Sequence, residues 1–249
     1  MPKLTPNSNS APVDLYQSLA QAASGSAQQG GQNLGSMITG ADGREFRWVL
    51  AGASNLVAGD LQQSPAIVAN HQNMASTTQA IGDTQITVTL GNTAATANQY
   101  AGGYVFVNAG TGKGLTYQIA SHPAANASAT LVLTLADPIV VATLTSDTKT
   151  SLYPNPYNGV IINPTTPTGV AVGVAPWALT TATYGWIQVH GITAGLSDAG
   201  IYAAEQEIAP STLTAGAFGS TVSQTTTDGV GFAVQAGVSA EYRAVYLNL

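Results

Sequence analysis

From about residue 41 onward, apolar and polar residues alternate with a period of two. "TQITVTLG" (84–91) places Ile86, Val88 and Leu90 on one face of an extended strand. "REFRWVLAGA" (44–53) alternates charge with Phe46, Trp48 and Leu50, directly after the turn signal "ADG". "GYVFVN", "LTYQIAS", "ATLVLTLA", "DPIVVATLT" and "YNGVIIN" continue the pattern, separated by Gly- or Ala/Asn-rich turns. The stretch "PNPYNGVIINPTTPTG" (154–169) is rich in Pro, Asn and Gly and reads as a boundary or a long rigid loop. Beyond it, "GVAVGVAP", "YGWIQVHG", "GIYAAEQEIAPS", "VGFAVQAG" and "YRAVYLNL" predict further short strands. The expected architecture is mainly β: two small barrel- or sandwich-like units, 41–165 and 166–249, without an internal repeat. The strand faces predict a core containing Phe46, Trp48, Val105, Ile119, Leu133, Ile187, Phe232 and Val245. Segment 61–81 fits no single period.

Residues 1–40 read differently, as an extended or partly helical arm. The first twelve are polar and Pro-containing. "PVDLYQSLAQAA" (12–23) brings Val13, Tyr16, Leu19 and Ala20 near one helical face, with Pro12 suited to a helix start. Isolated helices shorter than ~12–15 residues are marginal in water. Val13, Tyr16 and Leu19 therefore need a partner to cover them and are the candidate partner-binding residues. "SGSAQQGGQNLGSMITG" then has the composition of a flexible linker.

The glycine-rich stretch "NAGTGKGLTY" (108–117) raises the possibility of a phosphate-binding loop. Such a loop needs G-x-x-x-x-G-K-[ST] opening a helix. Here Val107 stands at the first glycine position, Gly114 replaces the hydroxyl residue, and a strand pattern follows. The stretch predicts a hairpin turn joining strands 103–108 and 115–121, with Lys113 exposed at its tip.

Composition narrows the function. Six basic and twelve acidic residues make only 7% of 249 residues charged, against ~25% in an average domain. The six cations are scattered, which argues against direct nucleic-acid binding. Cysteine is absent, so thiolate catalysis and Cys-based zinc sites are excluded. No run of 18 apolar residues occurs and no apolar signal-peptide core opens the chain, so no membrane span is expected and synthesis is expected in the cytoplasm. A surface this poor in charge suits burial against neighbours, because interface cores are depleted of charge.

Candidate chemistry is sparse. His71, His122 and His190 lie in unrelated contexts without metal-ligand spacing, and read as polar residues at strand ends. Glu205 and Glu207 are expected on one strand face at i, i+2, as edge charges that discourage strand pairing. "NPYNG" (155–159) and "YGW" (184–186) carry the aromatics and amides of a sugar-binding loop. No G-x-S-x-G is present. No catalytic residue, metal or cofactor is predicted.

Several stretches together resemble virion proteins of tailed bacteriophages: "DGREFRWVLAGASNLVAGDLQQSPA", "NQYAGGYVFVNAGTGKGLTYQIASHPAA", "LYPNPYNGVIINPTTPTGVAVGVAP", "YGWIQVHG" and "VGFAVQAGVSAEYRAVYLNL". The last is also similar to the end of small capsid decoration (cement) proteins, with a G-x-A-x-x-A-G turn between two terminal strands. The resemblance implies a β-rich fold and a non-enzymatic role on the phage head surface. It implies binding to the major capsid protein and to neighbouring copies, as a homo-oligomer with a trimer favoured. The alternative is a tail, fibre or adhesin component that binds host-surface glycan, motivated by the aromatic and Asn-rich loops. A polysaccharide-acting enzyme, resting on scattered carboxylates, is the third reading.

Overall fold

The computed structural model describes residues 33–249 except 142, 201 and 222–228. Val13, Tyr16 and Leu19 lie outside the described residues. The fold is mainly β, in two compact units, one inserted into the other: 66–155 form one, and 33–65 with 156–249 form the other. This nested arrangement differs from the sequential division expected at 165/166. Residues 33–65 supply β1 (Met37–Thr39), β2 (Glu45–Ala51) and β3 (Leu61–Gln63). The inserted unit supplies β4 (Met74–Ala75), β5 (Gln85–Thr89), β6 (Tyr104–Ala109), β7 (Thr116–Ser121), β8 (Thr130–Leu135) and β9 (Lys149–Tyr153). The chain returns with β10 (Asn158–Ile162), β11 (Ala171–Val174), β12 (Tyr184–Leu196), β13 (Glu207–Pro210), β14 (Phe218–Ser220), β15 (Gly231–Ala233) and β16 (Tyr242–Asn248).

In the outer unit, β2, β10, β3, β11 and β12 pair in sequence, and β12 pairs back onto β2. That ring is a closed five-stranded barrel. β2 shows why the sequence can build it: Val49 and Ala51 join Val160, Val172 and Ile187 in one core cluster. Phe46 and Trp48, on the opposite face, stack with Trp186 under Leu34 and Ile38. Both faces of β2 are therefore covered. Leu34, Ile38 and strand β1 belong to this body, so the arm expected to run to residue 40 gives way to core by residue 34. The register of β12 shifts between Gln188 and His190. Beyond the shift it leaves the barrel and pairs with β16, which continues through β15 and β13 to β14. Leu61, Val174, Tyr202, Ile208, Phe218, Val245 and Leu247 form the core beneath that extension.

The inserted unit is a six-stranded sheet of order β4-β9-β6-β7-β8-β5, which returns to its start through a bridge between Ser76 and Val88. Its interior is one cluster including Ile86, Val88, Val105, Ile119, Leu131 and Leu133. The hairpin expected at 108–117 is present: β6 and β7 pair antiparallel. Gly110, Gly112 and Gly114 all have positive φ between them, a region that disfavours side chains. The strand expected over "DPIVVATLT" is absent; described residues there form an irregular loop with Val140 and Val141 exposed. Segment 61–81, ambiguous by pattern, divides into β3, a short 3-10 turn at Ala69–His71 and β4.

Candidate functional site

Seven of the eight predicted core residues are buried. Phe232 is not. On β15 the small residues Gly231 and Ala233 face inward, where Phe218, Tyr202 and Val245 already fill the space, so Phe232 turns outward. The pairing shows what it joins. Phe232 lies opposite Tyr246 on β16, and Tyr246 opposite Ile192 on β12. In the next row, Ala194 faces Ala244, and Val234 donates its N–H to the Ala244 carbonyl. In the third, Leu196 faces Tyr242. Side chains two apart on a strand share a face, so these rows make one outward apolar face across three strands.

Ile192, Phe232, Tyr242 and Tyr246 retain 54, 48, 48 and 37% of their full exposure. With Val234 they leave on the order of 500 Å² of largely apolar surface facing water, hydroxyls and backbone included, a size at which the largest patch on a monomer is often functional. Across β12, β16 and β15 the rows carry no charge; the first row continues onto β13 as Glu207, opposite Phe232. At the other side His190 Nε2 and the Tyr246 hydroxyl are hydrogen-bonded at 2.9 Å, with the rings edge to face.

The face is held from below by a buried carboxylate. Asp60, just before β3, is 6% exposed, and Tyr242 donates its hydroxyl to Asp60 Oδ1 at 3.3 Å. Burial raises the Asp60 pKa to about 6, against the pull of the Tyr242 hydrogen bond. Burial and the Asp60 charge in turn push the Tyr242 phenol up. Gly59 has φ +79°, and a Cβ there would lie 2.5 Å from the Tyr242 ring; only glycine lets the turn pass under this side chain.

The other candidates disperse. His71 and His122 are brought together, but around the buried Tyr100: Tyr100 donates its N–H to His122 Nε2 at 2.9 Å, and its hydroxyl bonds His71 Nδ1. Their remaining ring nitrogens bond the carbonyls of Thr93 and Pro123. His122 follows β7 directly, at a strand end as expected, whereas His71 closes the short 3-10 turn and His190 falls inside β12; that His71 and His122 are buried fasteners is a role sequence spacing could not reveal. Among the described residues no group of three His, Cys, Asp or Glu could hold a metal ion. Glu205 lies in a turn at φ +67°, outside β13, so it does not share a strand face with Glu207. Trp186 is buried, and Tyr184 stacks on Trp48 at 6.1 Å, so "YGW" forms no exposed sugar platform. Comparison with known proteins yields no family model, no curated protein and no solved structure that matches the chain. What the arrangement offers chemically is an exposed, aromatic-rich surface on three paired strands with one carboxylate, Glu207, at its edge.

Proposed function

We propose that this chain is a non-enzymatic virion structural protein, a capsid decoration protein that binds the major capsid protein and neighbouring copies of itself through the outward face of β12, β16 and β15. The observation that carries the reading is that face: exposed apolar side chains in register on three paired strands, with Glu207 at the edge. Interface centres are enriched in tyrosine and phenylalanine and depleted of charge. The stretches that resemble phage virion proteins support the same reading, and "VGFAVQAGVSAEYRAVYLNL" supplies β15 and β16 of the face itself. A face of on the order of 500 Å² is the centre of a contact rather than the whole of one, since a standard interface buries ~800 Å² per partner. Val13, Tyr16 and Leu19 are the proposed second anchor.

The test is a double variant, Phe232→Ser with Tyr246→Ser. Both positions are exposed, so circular dichroism and the melting temperature are expected to stay close to wild type. Occupancy on capsids assembled from the major capsid protein, and self-association by light scattering, are expected to fall at least tenfold. Unchanged occupancy with an intact fold would remove the face from the reading. Binding to a host-glycan array without binding to capsids would favour the tail or adhesin alternative.

A further inference from the structure

We infer that the open end of the five-stranded barrel is a binding site for a carboxylate carried on a short apolar body. A cavity of about 210 Å³ opens there, lined by Arg47, Tyr157, Val170, Val172, Val189 and Leu249 among others. The topology places these residues together. Arg47 is near the start of β2, Tyr157 immediately precedes β10, and Val170–Val172 lead into β11. β2 and β10 run parallel, β12 runs antiparallel to β2 and to β11, and Val189 marks the point where β12 leaves the ring. All of them thus meet at one rim. Barrel mouths are common ligand sites.

The chemistry of the rim is one-sided. Apart from Tyr157 and Arg47 the lining side chains are aliphatic, and Arg47 is the charged side chain among them. Its guanidinium lies 5.6 Å from the Tyr157 ring centre and donates one N–H to the Gly35 carbonyl at 2.9 Å. Among the described residues the ion pairs are Arg44–Asp42 and Arg243–Glu241, and no carboxylate is within ion-pair distance of Arg47. A guanidinium carries five N–H donors in a planar fork that matches a carboxylate. The stacking ring and the Gly35 carbonyl fix that fork in place, so little rotamer freedom remains to be lost on binding. The small volume, about 210 Å³, limits the ligand to a short acid such as an alkanoate, or an acidic side chain of that size.

Hexanoate, hexan-1-ol and hexylammonium share the apolar body and differ in the head. Titrated against the full chain with methyl NMR detection, hexanoate is expected to shift the Val172 and Val189 methyls. Hexan-1-ol is expected to bind at least fivefold more weakly, and hexylammonium not to bind there. Arg47→Gln is expected to weaken hexanoate at least tenfold while leaving hexan-1-ol unchanged. A blocked tripeptide with a central glutamate separates an acidic side chain from a free acid as the source of the carboxylate. Equal binding of acid and alcohol, or hexanoate shifts confined to other parts of the chain, would overturn the inference. Should Arg47→Gln fail to fold, the comparison of the three heads on the wild-type chain decides alone. The outcome is independent of capsid attachment, since Arg47 is not among the residues altered in that test.

Discussion

Asp60 is the residue whose chemistry is most displaced by its surroundings. An unfolded chain titrates its aspartates near ~3.9, whereas this one titrates at about 6 in the fold. Between those values the folded state holds the extra proton. The stability from this group is therefore fully present below about pH 4 and is lost as pH rises through 6. At ~1.4 kcal/mol per unit the change amounts to about 3 kcal/mol. Denaturant midpoints of the wild type are expected to fall between pH 4.5 and 7.5, and those of Asp60→Asn to stay flatter over that range, because the amide still accepts from Tyr242 without a charge. Trp48 tests packing at the same scale. It is buried and meets Trp186 edge to face at 4.9 Å, so Trp48→Ala is expected to cost ~3–5 kcal/mol in chemical denaturation. Its burial was legible from alternation in β2. The exposure of Phe232 was not, because alternation gives two faces and the choice between them depended on Phe218 and Val245 having already filled the inner one.

Among the elements, the β6–β7 hairpin was readable in advance because its turn demands glycines at fixed places. Lys113 at its tip is exposed. Lys113→Ala is expected to shift stability by less than ~0.5 kcal/mol, and ATP to leave the melting temperature unchanged; a nucleotide-dependent rise would contradict the hairpin reading. The fastening of segment 92–100 to 122–125 was not readable, since it depends on two histidines 51 positions apart meeting one tyrosine. A backbone N–H can only donate, so His122 accepts at Nε2 and holds its proton on Nδ1, toward Pro123. Burial lowers its pKa, and the nearby His71 acts in the same direction. The unfolded chain therefore takes up the proton first. This group's contribution is complete above pH ~6.5 and declines as pH falls below that value. Protection factors of the amides in 92–100 and 122–125, which remove the ordinary slowing of exchange at lower pH, are expected to fall between pH 7 and 5, and to fall more than elsewhere in the inserted unit. Uniform behaviour across that unit would refute the fastening role.

For the whole molecule, the mainly β character and strand density followed from period-two patterning. The nesting did not, because no local pattern announces that β3 pairs with a strand nearly a hundred residues later. Gln63 faces Ile161 and Gln62 faces Ile162 antiparallel, so β3 and β10 are the two arms of a hairpin whose loop is the entire inserted unit. The unit ends at Asn155, inside the Pro/Asn/Gly stretch 154–169 but ahead of the division expected at 165/166, and the stretch itself carries β10. Replacing 66–155 by a short Gly-Ser turn is expected to leave the outer unit folded, with its tryptophan fluorescence retained. Residues 66–155 alone are expected to fold around their own core cluster. Loss of cooperative unfolding in either piece would show that the two depend on each other.

The nesting also sets an order of events during synthesis. At ~5–20 residues per second, β2 and β3 leave the ribosome several seconds before their later barrel partners, β10 to β12, exist. In that interval the segment between them can fold to completion. Its collapse turns a flexible loop of 90 residues into a preformed connection, and loop closure costs less as the free length shrinks, by ~0.6 kcal/mol per halving. The middle of the chain thus acts as a timer and a clasp for its two ends. A ribosome-stalling series is expected to show compaction once residue 155 has emerged and barrel closure only after β12.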